Sequence, residues 1–342
     1  MKLLICFGTR PEWLKIQSLL EHRDSLPQLL IQTLFTGQHQ HLVTRYSPTY
    51  SLGPIRASGR PRLNAIVSHI LSSSLVVQAI SQNDLVMVQG DTSSAFGIAL
   101  ASYHQGKPVI HLEAGLRTYE PIPFPEEANR QMIARLASWH LCPTQANRNN
   151  LINENIESDS IYVTGNTIID ILPPPSSPSG NKVLVTLHRR ENLAQIAAWF
   201  QALAQLAQDH TELEFVWPMH PNPEIQQHRD LGSHVNIVEP LQHLELLDLL
   251  QQSVLVITDS GGIQEEASYY HRKLVVCRSS TERPEVLELG LALLCPEPGQ
   301  LAQCFNQLME RQVDQQPCPY GTGNAWQNIY QVLECLQTTQ QV

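Results

Sequence analysis

Short β-branched apolar runs alternate along the whole chain with segments of helical period. Continuous apolar runs mark strands buried on both faces, and their alternation with helices predicts parallel sheets covered on each side. In the first half the runs are Leu3 to Phe7, Leu29 to Phe35, Asp84 to Gln89, Val109 to Leu112, Leu141 to Thr144 and Ile161 to Gly165. Pro11 suits the opening of the first helix, and Ser and Thr after Gly90-Asp91 suit the cap of a helix from Ala95 to His104. The stretch Arg45 to Arg62 lacks periodicity and is rich in Pro, Ser, Gly and Arg, so it reads as a long loop. Its arginines Arg45, Arg56, Arg60 and Arg62 could grip an anion, but solvating a surface loop is the commoner role.

Leu172-Pro-Pro-Pro-Ser-Ser-Pro-Ser-Gly180 interrupts the pattern with a semi-rigid connector that cannot pack a core. It divides the chain into a domain over 1–171 and a second over 181–324, joined by a linker over 172–180. The second half repeats the alternation through Val183 to Leu187, Phe215 to Met219, Asn236 to Val238, Val254 to Ile257 and Leu274 to Cys277. A helix is expected from Leu241 to Leu250. The last amphipathic segment, about 325–342, has no strand after it and is expected to pack back on the first domain. The architecture repeats; the sequence does not.

Composition narrows the reading. The 342 residues suffice for two ordinary domains, and 16% charged residues describe a globular chain. No apolar run reaches membrane-spanning length, and Met1 to Phe7 is too short for a signal h-region, so it reads as a strand. The formal charge of −10 argues against nucleic-acid and anionic-membrane partners, while leaving room for a local anion pocket. Seven cysteines without C-x-x-C spacing fit reduced cytoplasmic thiols better than disulfides or zinc. The histidines show no metal-ligand spacing, so no metal is assigned.

Unusual polar residues follow nearly every strand: Arg10, Gln38, Asp91, Glu113, His188, His220, Ser260 and Arg283. In open α/β sheets ligands bind outside the carboxyl ends of the strands. Two such sheets facing each other would line one cleft with both sets of residues. Polar loops alone explain one or two such clusters, but poorly explain eight.

The strongest single stretch is Ile257-Thr-Asp-Ser-Gly-Gly-Ile-Gln-Glu-Glu266. A strand turns through Ser260-Gly261-Gly262 into a helix expected to carry Glu265 and Glu266 in its first turn. Glycines and a helix start offer N–H groups to a diphosphate, and Glu266 could receive ribose hydroxyls. Alone, the stretch is equally a ligand-free β–α turn. Glu113 follows an apolar strand and should be partly desolvated, which raises its pKa and suits proton transfer. Arg10 and Lys15 could neutralise a phosphate or be surface cations. Asp91 could be a cap, and Glu126 and Glu127 favourable first-turn charges. His188 is either a cation beside an anionic leaving group or a structural histidine, and its position alone favours the latter.

Taken together the motifs resemble the non-hydrolysing UDP-N-acetylglucosamine 2-epimerases. They are Phe7-Gly-Thr-Arg-Pro-Glu12 with Lys15, Thr36-Gly-Gln-His39, Gly90-Asp-Thr92, Glu113-Ala-Gly-Leu-Arg-Thr118 and Pro125-Glu-Glu-Ala-Asn-Arg130. Val163-Thr-Gly-Asn-Thr167, His188-Arg-Arg-Glu-Asn192, His220-Pro-Asn-Pro223 and Thr258 to Glu266 follow, then Thr281-Glu-Arg-Pro-Glu285 and Pro319 to Ala325. The match spans the chain in the family's order. It implies an α/β fold of two Rossmann-like domains facing a cleft, glycosyltransferase B-like, with parallel sheets flanked by helices. It implies interconversion of UDP-GlcNAc and UDP-ManNAc by loss and re-addition of UDP through a 2-acetamidoglucal, in the cytoplasm, by a homodimer. No cofactor or metal follows. By resemblance Asp91, Glu113 and Glu126 form the acid/base set, assisted by His188. Arg10, Lys15, Ser260, Gly261, Gly262, Glu266 and Arg283 match the nucleotide site. Gln38, Arg60, Glu127, Arg189 and His220 match a second, activating UDP-GlcNAc site.

The chain departs from the family in places. The Thr118–Glu126 loop is shorter than in the best-known bacterial members. Leu241 and Leu246 stand where some relatives carry Gln and an aromatic residue near the uracil, and His41 and Pro61 replace usual glutamines of the activating site. Competing readings are an epimerase for a modified UDP-HexNAc, a glycosyltransferase of the same fold, a hydrolysing epimerase and a catalytically silent UDP-sugar binder.

Overall fold

The computed structural model describes residues 1–39, 42, 46–55, 61–175, 180–312 and 316–339. Arg45, Arg56, Arg60 and His41, weighed above for anion or activator binding, lie outside the described residues. The chain forms two compact units: Met1–Ile171 with Tyr320–Val342, and Leu172–Pro319.

The first unit holds β1 (Lys2–Phe7), β2 (Leu30–Phe35), β3 (Tyr50–Ser51), β4 (Leu85–Gln89), β5 (Val109–Leu112), β6 (Trp139–Cys142) and β7 (Ile161–Val163). They form one sheet in the order β3-β2-β1-β4-β5-β6-β7, parallel throughout. Successive side chains of a strand point to opposite faces. Accordingly Leu3, Ile5 and Phe7 of β1 enter one core cluster, and Leu4 and Cys6 the other. β4 divides the same way, with Leu85 and Met87 on one face and Val86 and Val88 on the other. Two apolar faces need two helical layers, which is why these strands read as unbroken apolar runs.

The helix Ala325–Thr339 fills part of one layer. Its Ile329, Leu333 and Leu336 are buried beside Leu3, Ile5 and Leu19. Each such side chain is worth roughly 1.5–3 kcal/mol. Asp170 receives Ala325 N at 2.8 Å and Trp326 N at 2.9 Å, Trp326 stacks on His22 at 3.8 Å, and the Tyr330 hydroxyl donates to the Leu19 carbonyl.

The second unit holds β8 (Lys182–Thr186), β9 (Glu214–Pro218), β10 (Asn236–Val238), β11 (Ser253–Thr258), β12 (Lys273–Val276) and β13 (Ala292–Leu294). Their order is β10-β9-β8-β11-β12-β13, again parallel. Val183, Val185, Leu255, Ile257 and Val275 pack there with Trp199, Phe200, Phe215 and Trp217.

Both sheets reverse their winding at one place, between β1 and β4 in the first and between β8 and β11 in the second. Open α/β sheets bind ligands at the carboxyl ends of the strands flanking such a reversal. Arg10 and Asp91 stand there in the first unit, His188 and Ser260 in the second.

Several local expectations need correction. The expected loop contains β3 and ends in a helix at Arg62–Leu71. The helix expected from Ala95 begins at Ser93, because the Thr92 side chain receives Ala95 N and so is the cap. The helix expected at Leu241 opens at His243. Glu265 and Glu266 are in the second turn of the helix Gly261–Tyr269, which starts on the first glycine. No single helix among the described residues is long and apolar enough to cross a membrane.

Candidate active site

In the first unit, β1 runs into Gly8-Thr9, and Thr9 caps the helix Arg10–Glu21 in a capping box with Glu12. Glu12 receives Gly8 N and Thr9 N at 2.7 Å each and Thr92 Oγ1 at 2.6 Å. Burial drives its carboxyl above the ordinary value, against the hydrogen bonds from Thr92, Gly8 and Thr9. It ties the loop after β1 to the loop after β4. Exposed Arg10 opens the helix, its N–H 3.2 Å from His39 Nδ1.

Glu113 follows β5 with φ 66°, a left-handed conformation uncommon for a side chain of its size. Its carboxylate pairs with the buried Lys15 ammonium. Gln89 Nε2 donates to it at 2.5 Å and Asn166 Nδ2 at 3.3 Å. A β-carbon at Gly90 would lie in van der Waals contact with Glu113 Oε2, at 3.4 Å, so the turn passes beside the carboxylate. The desolvated carboxylate expected from the sequence is thus held by a cation and two amides. Lys15, assigned by resemblance to the nucleotide, stands beside Glu113, assigned by resemblance to the acid/base set.

Asp91, next to Gly90, meets Arg130 Nη2 at 2.6 Å, and its carbonyl receives Asn129 Nδ2 at 2.8 Å. Both partners belong to the helix Glu126–Leu136, whose first residue is Glu126. Glu127, matched above to an activating site, is buried and receives Thr118 N at 3.0 Å and Tyr119 N at 3.1 Å. Gln38 receives Ser94 Oγ at 2.7 Å, and its carbonyl receives Arg62 Nη2 at 3.3 Å.

His111 of β5 donates from Nε2 to the Gly90 carbonyl at 2.8 Å. Burial pushes its pKa down to about 4, and that of His140, its neighbour on β6, to about 3. Two neutral imidazoles therefore underlie the Gly90–Asp91 turn.

In the second unit, β11 delivers Asp259 and Ser260 to the helix Gly261–Tyr269. A β-carbon at Gly261 would lie 2.4 Å from Arg283 Nη1, whereas one at Gly262 would meet nothing within 4 Å. Glycine at 261 is thus demanded by the guanidinium beneath it, and the helix start beside Gly262 stays open. Arg283 Nε donates to Glu265 at 2.7 Å, and its Nη1 pairs with Glu282. Glu266 Oε1 lies 2.7 Å from His243 Nε2.

His188, His220, Ser260, Ile263, Leu241 and Leu246 help line a cavity of about 210 Å³. Complete small-molecule pockets begin near ~300 Å³, so the cavity is a subsite. Its apolar side, at Leu241 and Leu246, suits a flat ring rather than a phosphate. His188 and His220 stack with centroids 5.8 Å apart. Burial holds the His188 pKa below its ordinary value although Asp259 pulls it up; Arg189 and His220 also push it down. Burial lowers His220 likewise. Among the described residues no group of three or more His, Cys, Asp or Glu could hold a metal ion.

Sequence reasoning gave no role to Asp259, Gln89, Asn166, Arg130 or His243. Asp259 carried a legible signal, an acid directly after a buried apolar strand. The others stand far along the chain from the groups they hold.

Two doubly wound parallel units, with carboxylates at the strand ends of one and an open glycine-bearing helix start in the other, define a two-domain α/β protein of the glycosyltransferase B-like class. Residues 23–334 match the UDP-N-acetylglucosamine 2-epimerase family, and the chain belongs to that family of isomerases. The UDP-N-acetylglucosamine 2-epimerase of Neisseria meningitidis serogroup A is 34% identical, over 97% of this chain and 99% of the relative. The crystal structure of the N. meningitidis enzyme bound to UDP-GlcNAc superposes with a TM-score of 0.88 at 32% identity, covering 97% of this chain and 99% of that one. The S. aureus MnaA–UDP co-structure gives a TM-score of 0.89 at 32% identity, covering 98% and 97%.

Proposed function

We propose that the chain interconverts UDP-GlcNAc and UDP-ManNAc. One carboxylate of the first unit removes the C2 proton while the C1–O bond breaks and UDP departs with the electron pair, giving 2-acetamidoglucal. UDP then re-adds at C1 while a second acid returns a proton to the other face of C2. A C2–H without an adjacent carbonyl is a weak acid, so the step needs a positioned base and stabilisation of the leaving diphosphate. Asp91, Glu113 and Glu126 are assigned to the proton transfers. Ser260, Gly261, Gly262 and Glu266 are assigned to UDP, and Arg10 and Arg283 support that site.

The observation that carries this reading is Glu113. It is a carboxylate at the end of β5, held at positive φ by Lys15, Gln89 and Asn166 beside the Gly90–Asp91 turn. Such a costly arrangement persists where surrounding structure imposes it, commonly at reaction centres. The ligands bound in the solved relatives, UDP-GlcNAc and UDP, agree with it. A nucleotide-sugar substrate and seven free cysteines fit a cytoplasmic enzyme, and a homodimer is assigned on the family's pattern. Gln38, Glu127, Arg189 and His220 are the described candidates for an activating UDP-GlcNAc site, and strictly hyperbolic kinetics would remove that role.

The test is incubation with UDP-GlcNAc alone in heavy water, followed by NMR. UDP-ManNAc carrying deuterium at C2 is expected. Free ManNAc would indicate hydrolysis, and unchanged substrate would contradict the assignment.

A further inference from the structure

Two neighbouring helices of the second unit are joined by a hydrogen bond to which no role has been given. His243 opens the helix His243–Gln252, and its ring Nε2 lies 2.7 Å from Glu266 Oε1 on the helix Gly261–Tyr269. An ionised carboxylate only accepts, so the hydrogen of this bond belongs to Nε2. Both side chains are largely enclosed, His243 at 14% and Glu266 at 6% exposed. Residues three or four apart on a helix share a face. Leu246 stands in that relation to His243, and Ile263 to Glu266. Both apolar residues line the cavity of about 210 Å³ that suits a flat ring. Gly262, at the open helix start assigned to the diphosphate, lies four residues before Glu266 on the same helix. Ribose joins base to diphosphate in a nucleotide. An acceptor for its hydroxyls belongs where the two subsites share a helix face, and Glu266 stands there.

We propose that His243 is a positioning residue for ribose recognition. Its ring holds the Glu266 carboxylate in the orientation that receives the ribose hydroxyls, and so sets a preference for ribonucleotides over 2′-deoxyribonucleotides. A glutamate side chain turns about three bonds, and a ligand that must order it binds more weakly. The bond from His243 fixes one oxygen before the nucleotide arrives. It also gives a donor to a carboxylate almost withdrawn from water, where a charge without one is unfavourable. A carboxylate offers about four acceptor sites; the ring takes one and leaves others for the sugar. The inference rests on the assignment of UDP to this unit and adds the residue that shapes its ribose subsite.

Calorimetric titration of the full chain with UDP and with 2′-deoxy-UDP tests it. Wild type should bind the deoxy form about 10–30-fold more weakly, the loss expected for one hydrogen bond to a charged acceptor. In His243→Phe that ratio should fall below about threefold, because UDP loses more affinity than its deoxy form. His243→Gln returns an N–H to Glu266 and should restore most of the ratio. In His243→Phe the KM for UDP-GlcNAc should rise by a larger factor than kcat falls, since ribose is held alike before and during C1–O cleavage. A crystal structure of the wild type with UDP needs no variant. It should show the His243–Glu266 bond kept and a ribose hydroxyl donating to Glu266. Undiminished discrimination in His243→Phe, equal weakening of both nucleotides, or a ring swung off Glu266 in the complex overturns this inference alone. Equal binding of the two nucleotides by wild type removes Glu266 from the ribose and the inference with it. Absence of UDP binding overturns it together with the functional assignment.

Discussion

Glu113 directly follows β5 and Asp259 directly follows β11, and these two carboxylates are held in opposite ways. Glu113 faces a lysine ammonium and two side-chain amides, with its side chain 10% exposed. Asp259 is wholly enclosed, and two of its donors are backbone N–H groups of the loop after β8. Side-chain partners can rearrange around a changing charge, whereas backbone donors fix a loop. The first arrangement suits the proton transfer proposed for Glu113, and the second suits a group that anchors a loop.

The comparison predicts a difference in kind between variants. Asp259→Ala strands several buried donors and should cost about 3–5 kcal/mol of stability, read by urea denaturation. A cost under about 1 kcal/mol would mean that the loop holds itself.

Acid should also act on the first unit. The folded pKa values of His111 and His140, about 4 and about 3, lie below the ordinary 6.5. The folded protein therefore refuses protons that the unfolded chain accepts. Stability present above pH 6.5 is lost as pH falls, by about 3 kcal/mol for His111 on reaching its folded value. The buried carboxyls of Glu12 and Asp170 are raised instead and act in the opposite sense, gaining stability as pH falls. Comparing wild type with His111→Gln isolates the histidine share, and the variant should show a shallower acid slope of Tm.

Lys15→Met should lower kcat about 100-fold, with UDP affinity changed less than threefold. Were Lys15 a phosphate ligand, UDP binding would weaken instead. The smallest effect is Asp170→Ala, which removes the acceptor for Ala325 N and Trp326 N and should cost about 1 kcal/mol.

The parallel strands were legible because burial on both faces leaves them no polar positions. β3 has two residues and β13 three, too few for any period. Thr92 is one of the Ser and Thr residues expected to cap the next helix, but the run Thr92-Ser-Ser94 does not show which of them is the cap, so the helix opens at Ser93 rather than Ala95. Acids after strands pointed to Asp91 and Glu113. Their partners Arg130, Lys15 and Asn166 could not be paired with them by spacing, because folding makes those contacts over tens of residues.

In the proposed reaction carboxylates of the first unit move a proton at C2 while the second unit holds UDP. Glu113→Gln tests it most directly when UDP affinity and deuterium entry at C2 are measured on the same preparation. The account predicts UDP affinity within about threefold of wild type and exchange at C2 reduced about 1,000-fold. Ordinary exchange in that variant, or loss of UDP binding with exchange per bound substrate intact, would contradict it.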